Sequence, residues 1–143
     1  MNWDYNDPYI RTVRVLPEHI DALDHTNNTQ YVTWCNETAW AHTTALGLGA
    51  NEYQDLNRAM ALTRADYQYL RATRLDNELM VGTWITQWDR RMTMERKMQI
   101  VDADSGDTVL RATLQFVCIE ISSGRPKRPP EEFIAIYEPA LVS

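Results

Sequence analysis

The chain is poor in the residues that several chemistries need. Its 143 residues include only two cysteines, three histidines and five glycines. Cys35 and Cys118 are too far apart for a metal knuckle or a redox pair, so two buried free thiols are expected. His19, His25 and His42 form no His-x-x-x-His pair and have no ligand-spaced cysteine nearby, so no metal centre is expected. There is no Gly-x-Ser-x-Gly elbow, phosphate-binding glycine loop or dinucleotide fingerprint. No apolar run approaches the roughly 20 residues of a membrane helix. Met1 to Pro8 has neither a basic start nor an apolar stretch, so no export signal and no membrane association are expected, and the cytoplasm is the expected compartment. Cationic excess is missing too. The net charge is −6, and because phosphate contacts supply most nucleic-acid affinity, no nucleic-acid partner is expected.

What is present suits a soluble globular protein with one core. Apolar residues make up 44 % and charged residues 24 %, and the length fits a single domain over residues 1–143. Charge is uneven. Residues 1–57 carry eight acids and two bases, whereas residues 58–143 carry twelve of each. Any anionic ligand would need a basic patch in the second part. Arg90, Arg91, Arg96 and Lys97 form one candidate; Arg125, Lys127 and Arg128 form another. Solvated strand ends give the same pattern.

Tyr9 to Leu16 is β-rich and bounded by Pro8 and Pro17, so it reads as a first strand. Pro17 to Gln30 is polar and reads as a loop. From Tyr31, apolar residues recur at three- and four-residue steps through Leu48, which predicts a long, largely buried helix. Asn27 and Gln30 resemble a capping box at its start, and Gly47 and Gly49 stop it. Residues 50–57 read as a polar connection. Arg58 to Ala72, Leu79 to Arg90, Met92 to Asp102 and Thr108 to Ile121 read as strands, the last two joined by the turn Asp104 to Asp107. Glu131 to Tyr137 reads as a short helix or an extended tail. The expected fold is α+β: one long helix against a curved antiparallel sheet of five to six strands. One helix cannot cover such a sheet, so the surface bearing Trp84 or Trp88 is expected to be covered by a second subunit.

The loop before the helix carries the candidate chemistry. A helix N-terminus offers free N–H groups and the positive end of a dipole, which can polarise a carbonyl. Asp21, seven residues before Asn28, can fold back beside it and attack that carbonyl or activate water. Capping of turns by Asp21 and Asp24 is the plainer reading of the same residues. His25 reads as an organiser of the turn, and Glu37 is a second carboxylate candidate on the helix. Cys35 and His42 lie about 10 Å apart by helix rise, too far for a nucleophile and its base. Trp34, Trp40, Trp84 and Trp88 fit either a wide acyl pocket, even a cage for a cationic headgroup, or the core and subunit interface.

The run Asp21-Ala22-Leu23-Asp24-His25-Thr26-Asn27-Asn28-Thr29-Gln30-Tyr31 resembles the signature of hotdog-fold acyl-CoA thioesterases, specifically the 4-hydroxybenzoyl-CoA thioesterase-like group. Residues 65–79, Trp84-Ile85-Thr86, Arg90 to Glu95 and Gly124 to Pro129 match the pattern in order. The resemblance implies a hotdog fold, a homo-oligomer (a dimer, or a tetramer of dimers), and active sites at the dimer interface. It puts Asp21 at the position of the catalytic carboxylate and the Asn28 backbone N–H at the group that polarises the thioester, with His25 in the same motif. Arg90, Arg91, Arg125, Lys127 and Arg128 take the positions that meet coenzyme A phosphates. No separate cofactor is implied, since coenzyme A is part of the substrate. At Asp24 many members have glycine; Asp tolerates the left-handed backbone that such a turn needs.

The leading reading is therefore an acyl-CoA thioester hydrolase. A non-catalytic acyl-CoA- or CoA-binding hotdog subunit is the alternative. A hotdog dehydratase fits the position of His25 less well.

Overall fold

The computed structural model describes residues 2–142. Strand β1 (Tyr9–Arg14) leads into a single 3₁₀ turn at Pro17–His19. Helix α1 (Asn28–Leu46) follows. Asn27 caps it, its side-chain oxygen accepting the N–H of Thr29 at 3.0 Å. Gly47 ends it with φ at 105°, a left-handed conformation that glycine adopts without a Cβ penalty.

Residues 50–57 are more ordered than their polarity suggests. Ala50–Leu56 forms a short helix, α2. The Glu52 carboxylate accepts the Gly49 N–H at 2.9 Å, and Tyr53 is buried. One buried residue in two turns leaves no apolar period to read.

Four long strands come next: β2 (Arg58–Tyr69), β3 (Glu78–Trp88), β4 (Thr93–Asp102) and β5 (Thr108–Glu120). The tail forms helix α3 (Glu131–Tyr137). The five strands make one antiparallel sheet in the order β1-β3-β4-β5-β2. Register shifts between Leu62 and Arg64 and between Ile85 and Gln87 mark irregularities of the kind that bend a sheet.

One face of the sheet wraps α1. Tyr31, Trp34 and Cys35 of the helix pack with Leu79, Val81, Met98, Ile100, Leu110 and Leu114. Cutting one of these leucines to Ala should cost about 2–5 kcal/mol, as is typical of well-packed cores. A second cluster, containing Leu48, Tyr53, Ile85, Trp88, Phe133 and Tyr137, sits past the carboxyl end of α1.

The tryptophans expected under a second subunit are covered within the chain. Residues 2–8 cross the outer face of the sheet. Trp3 and Tyr5 pack edge-on to Trp84, whose indole N–H donates to the Asn6 carbonyl at 2.9 Å. Asp4 pairs with Arg111 at 2.7 Å. A Cβ at Gly82 would stand 2.6 Å from the Trp3 ring, so the bare glycine makes room for this strap. Trp88 packs on Tyr137 of α3. Both edge strands, β1 and β2, pair on one side only; along β2 about half of Leu62 and Tyr69 is exposed.

Candidate active site

The loop before α1 folds back as a small hairpin. Ile20 bridges Thr26, the Asp21 N–H donates to the His25 carbonyl at 2.8 Å, and the Asn27 N–H donates to the His19 carbonyl at 2.8 Å. Asp24 stands in the turn with φ at 60°, a left-handed conformation that Asp tolerates. Asp21 is thereby opposite His25, three residues before the helix begins. Its Oδ1 accepts the N–H groups of Leu23 at 2.9 Å and His25 at 3.3 Å. No partner for Oδ2 exists among the described residues.

At the helix start, the Asn28 N–H has no acceptor among the described residues, as the first turn of a helix requires unless a cap or ligand intervenes. The Gln30 side chain does not complete a capping box; the backbone N–H of Gln30 donates to the Asn27 carbonyl at 2.9 Å. The sequence motif therefore brings a partly buried carboxylate and an unpartnered helix-end amide into one hairpin–helix junction.

A clasp that sequence reasoning missed holds this junction. Thr73, in the β2–β3 connection, is buried. Its carbonyl accepts the Thr26 N–H at 2.9 Å; its hydroxyl meets the Thr26 hydroxyl at 2.6 Å and the Tyr31 hydroxyl at 2.7 Å. A lone threonine in a polar connection gives no periodic signal, and only the buried partners give it a role.

The remaining candidates are not drawn into the junction. His25 organises the turn through its backbone; its half-buried ring makes no hydrogen bond among the described residues. Glu37 faces solvent and pairs with Arg11 at 3.4 Å. Burial pushes the Cys35 thiol up to about 12 and the Cys118 thiol up to about 11, so neither is a thiolate at neutral pH. Trp34 is core, with His19 edge-on to it.

The basic residues gather at the other end of the sheet. The Cys118 N–H donates to the Met92 carbonyl at 2.7 Å, and the Cys118 carbonyl accepts the Lys127 N–H at 3.0 Å. Both basic segments thus share one end of β5. Arg90 pairs with Glu138 at 3.4 Å and Lys127 with Glu120 at 2.8 Å, while Arg91, Arg125 and Arg128 are exposed. Asp89 fixes the turn that carries Arg90 and Arg91. Burial acts to raise its carboxyl, but hydrogen bonds from Thr93, Met92 and Arg91 prevail and hold it down at about 2. The Asp21 hairpin lies instead beside the far end of β2, where Tyr31 meets Tyr69. β2 has twelve residues, about 35 Å by strand rise. Within one chain the two groups stand at opposite ends of this strand.

Between α1 and the sheet lies a cavity of about 310 Å³, lined by Trp40 and Thr43 of α1, Tyr53 of α2, and Leu62, Arg96 and Phe116 among others. Of the four tryptophans considered for a pocket, Trp40 lines it. Arg96, read from sequence as part of an exposed basic run, is only 1 % exposed. Strand alternation turns it inward while its neighbour Lys97 faces the outer side.

Residues 15–136 match the thioesterase-like superfamily. The chain belongs to this superfamily. Its fold is the hotdog fold of solved relatives. A 1,4-dihydroxy-2-naphthoyl-CoA thioesterase from Synechocystis is similar at 19 % identity and a TM-score of 0.79, over 91 % of this chain and 96 % of that one. A Staphylococcus aureus protein solved in complex with CoA is 19 % identical, with a TM-score of 0.85 over 100 % and 91 % of the two chains. A thioesterase-superfamily protein from Jannaschia sp. CCS1 reaches a TM-score of 0.87 at 16 % identity, over 100 % and 99 %.

Proposed function

We propose that this thioesterase-like chain hydrolyses acyl-CoA thioesters, with Asp21 as general base or nucleophile and the Asn28 N–H polarising the thioester carbonyl. The observation that carries this reading is the junction itself: the unbonded Oδ2 of Asp21 and the unpartnered Asn28 N–H, held in one hairpin–helix unit. Water deprotonated by Asp21 forms the new C–O bond at the carbonyl carbon, or the Asp21 carboxylate does so and water then cleaves the mixed anhydride. The C–S bond breaks, the thiolate of coenzyme A leaves, and the acyl group departs as the carboxylic acid. A free thiol has a pKa near 8.5, so this leaving group needs little acid help, and one carboxylate with one oxyanion donor suffices. No bound cofactor or metal enters the scheme.

The basic segments suit the phosphates of coenzyme A, but they stand at the opposite end of β2 from the Asp21 hairpin. An antiparallel pairing of β2 with β2 of a second copy would carry the basic end of one chain to the Asp21 end of the other. The unpaired edge of β2 supports such a dimer. Two buried free thiols suit a reducing compartment such as the cytoplasm.

A panel of acyl-CoAs with a thiol reagent tests the reaction. Wild type should release thiol. Asp21→Asn should lose about 10²–10⁴-fold in kcat with CoA affinity unchanged. Retention of most of kcat would remove Asp21 from the mechanism. Binding without thiol release from any acyl-CoA would favour the non-catalytic CoA-binding subunit. Mixing Asp21→Asn chains with chains carrying Arg125→Ala, Lys127→Ala and Arg128→Ala tests the shared site. Heterodimers should regain one intact site and measurable turnover; no recovery would place both functions within one chain.

A further inference from the structure

The Arg96 guanidinium sits at the cavity wall without a counter-charge. Its Nη1 donates to Nδ1 of His42 at 2.8 Å and to the Thr83 hydroxyl at 3.1 Å, and its Nη2 donates to the Thr43 hydroxyl at 3.2 Å. Its Nε–H is buried with no partner. By count, one Nη2 hydrogen is also unused. No Asp or Glu among the described residues pairs with it.

Each neighbour is neutral. Burial, and then the charge of Arg96, lower His42 to about 4, so its ring is uncharged at neutral pH and Nδ1 is free to accept. Tyr53 and Tyr137, whose hydroxyls bond each other, are pushed upward by burial and keep their protons. Burial lowers Arg96 itself to about 10, which leaves it charged. A buried, unpaired cation costs several kcal/mol, and a single hydrophobic residue would fill this place without that cost. Guanidinium donors form a planar fork that fits a carboxylate with two parallel bonds.

We propose that this cavity selects acyl groups ending in a carboxylate, with Arg96 binding the terminal anion, so that the substrates are thioesters of dicarboxylic acids. The inference rests on the hydrolase reading above and names its substrate class. The cavity begins at Asn36, about 12 Å along α1 from Asn28 by helix rise. The walls, including Leu62 and Phe116, are apolar and suit the methylene chain between the two carbonyl ends. Two of the lining residues, Met60 and Leu62, belong to β2, the edge where a second copy would pair.

The test uses matched pairs: succinyl- against butyryl-CoA, glutaryl- against valeryl-CoA, adipoyl- against hexanoyl-CoA, and suberoyl- against octanoyl-CoA. In at least one pair, wild type should prefer the carboxylate by about tenfold or more in kcat/KM, the scale of a charge-assisted bond. Arg96→Met should erase or invert that preference, and Arg96→Lys should keep part of it. The wild-type ratios alone decide the matter if Arg96→Met fails to fold. Hydrolysis of both series with the methyl-ended member equal or better at every length overturns the inference and leaves the hydrolase reading standing. If neither series is hydrolysed, the hydrolase reading fails. Calorimetric titration with the same thioesters then decides: tighter binding of the carboxylated member, lost in Arg96→Met, supports the anion site, and equal binding overturns it.

Discussion

At the amino end of α1, the Asp21 carboxylate is partly exposed and two backbone N–H groups hold one of its oxygens. At the carboxyl end, the Arg96 guanidinium is sealed among an imidazole and two threonine hydroxyls, with one N–H unpaired and no anion in reach. The first charge stays near solvent and is steadied by its own loop, which leaves an oxygen free to react. The second is desolvated, so any anion that reaches it meets an interaction that water scarcely weakens. Charge for chemistry and charge for recognition call for these opposite settings.

Acid should separate the two ends most. His42 is held at about 4 in the folded chain against an ordinary 6.5. Between those values the unfolded chain binds a proton that the folded chain does not. Stability is therefore full above about pH 6.5 and is lost as pH falls toward 4, by about 3 kcal/mol at most. Thermal melting across this range should show the loss, and His42→Asn, which keeps an acceptor near Nδ1, should flatten it.

Thr43→Val removes one acceptor from a buried cation and should cost about 2 kcal/mol in urea unfolding. In an Arg96→Met background the same change should cost less, the remainder being the bond between the Thr43 and Tyr137 hydroxyls. A double-mutant cycle with no coupling would detach Thr43 from the charge.

At the amino end, Thr73→Val breaks the clasp to Thr26 and Tyr31 and should cost about 1–2 kcal/mol. It should also raise KM or lower kcat with every acyl-CoA alike, while changes at the Arg96 end alter preference between acyl groups. Equal effects of both on preference would erase the contrast.

The smallest effect belongs to Asp24→Gly. Relief of the left-handed backbone should stabilise the hairpin by up to about 1 kcal/mol, with activity unchanged.

Much of the fold was legible in residue order. The β-rich run from Tyr9 to Leu16, the helical spacing from Tyr31 to Leu48, and the turn at Asp104 to Asp107 each reflect interactions between near neighbours in the chain. The candidate site was legible in part, because Asp21 and Asn28 belong to one short segment that folds on itself. What covers Trp84 was not: Trp3 and Tyr5 reach it across about eighty residues, and an aromatic strap leaves the same composition as a subunit interface. Thr73 was also silent, since its partners come from a distant loop and helix.

The sequence by itself determined the succession of β1, α1 and the four long strands, though not α2, and that a carboxylate would stand before the start of α1, because these follow from local periodicity and turn chemistry. Only the tertiary structure decided that Arg96 points inward to an unpaired place beside a cavity, and that the basic segments lie an entire strand away from Asp21. Burial and strand pairing are set by residues far apart in the chain, and a charge in a sequence carries no mark of whether water will reach it.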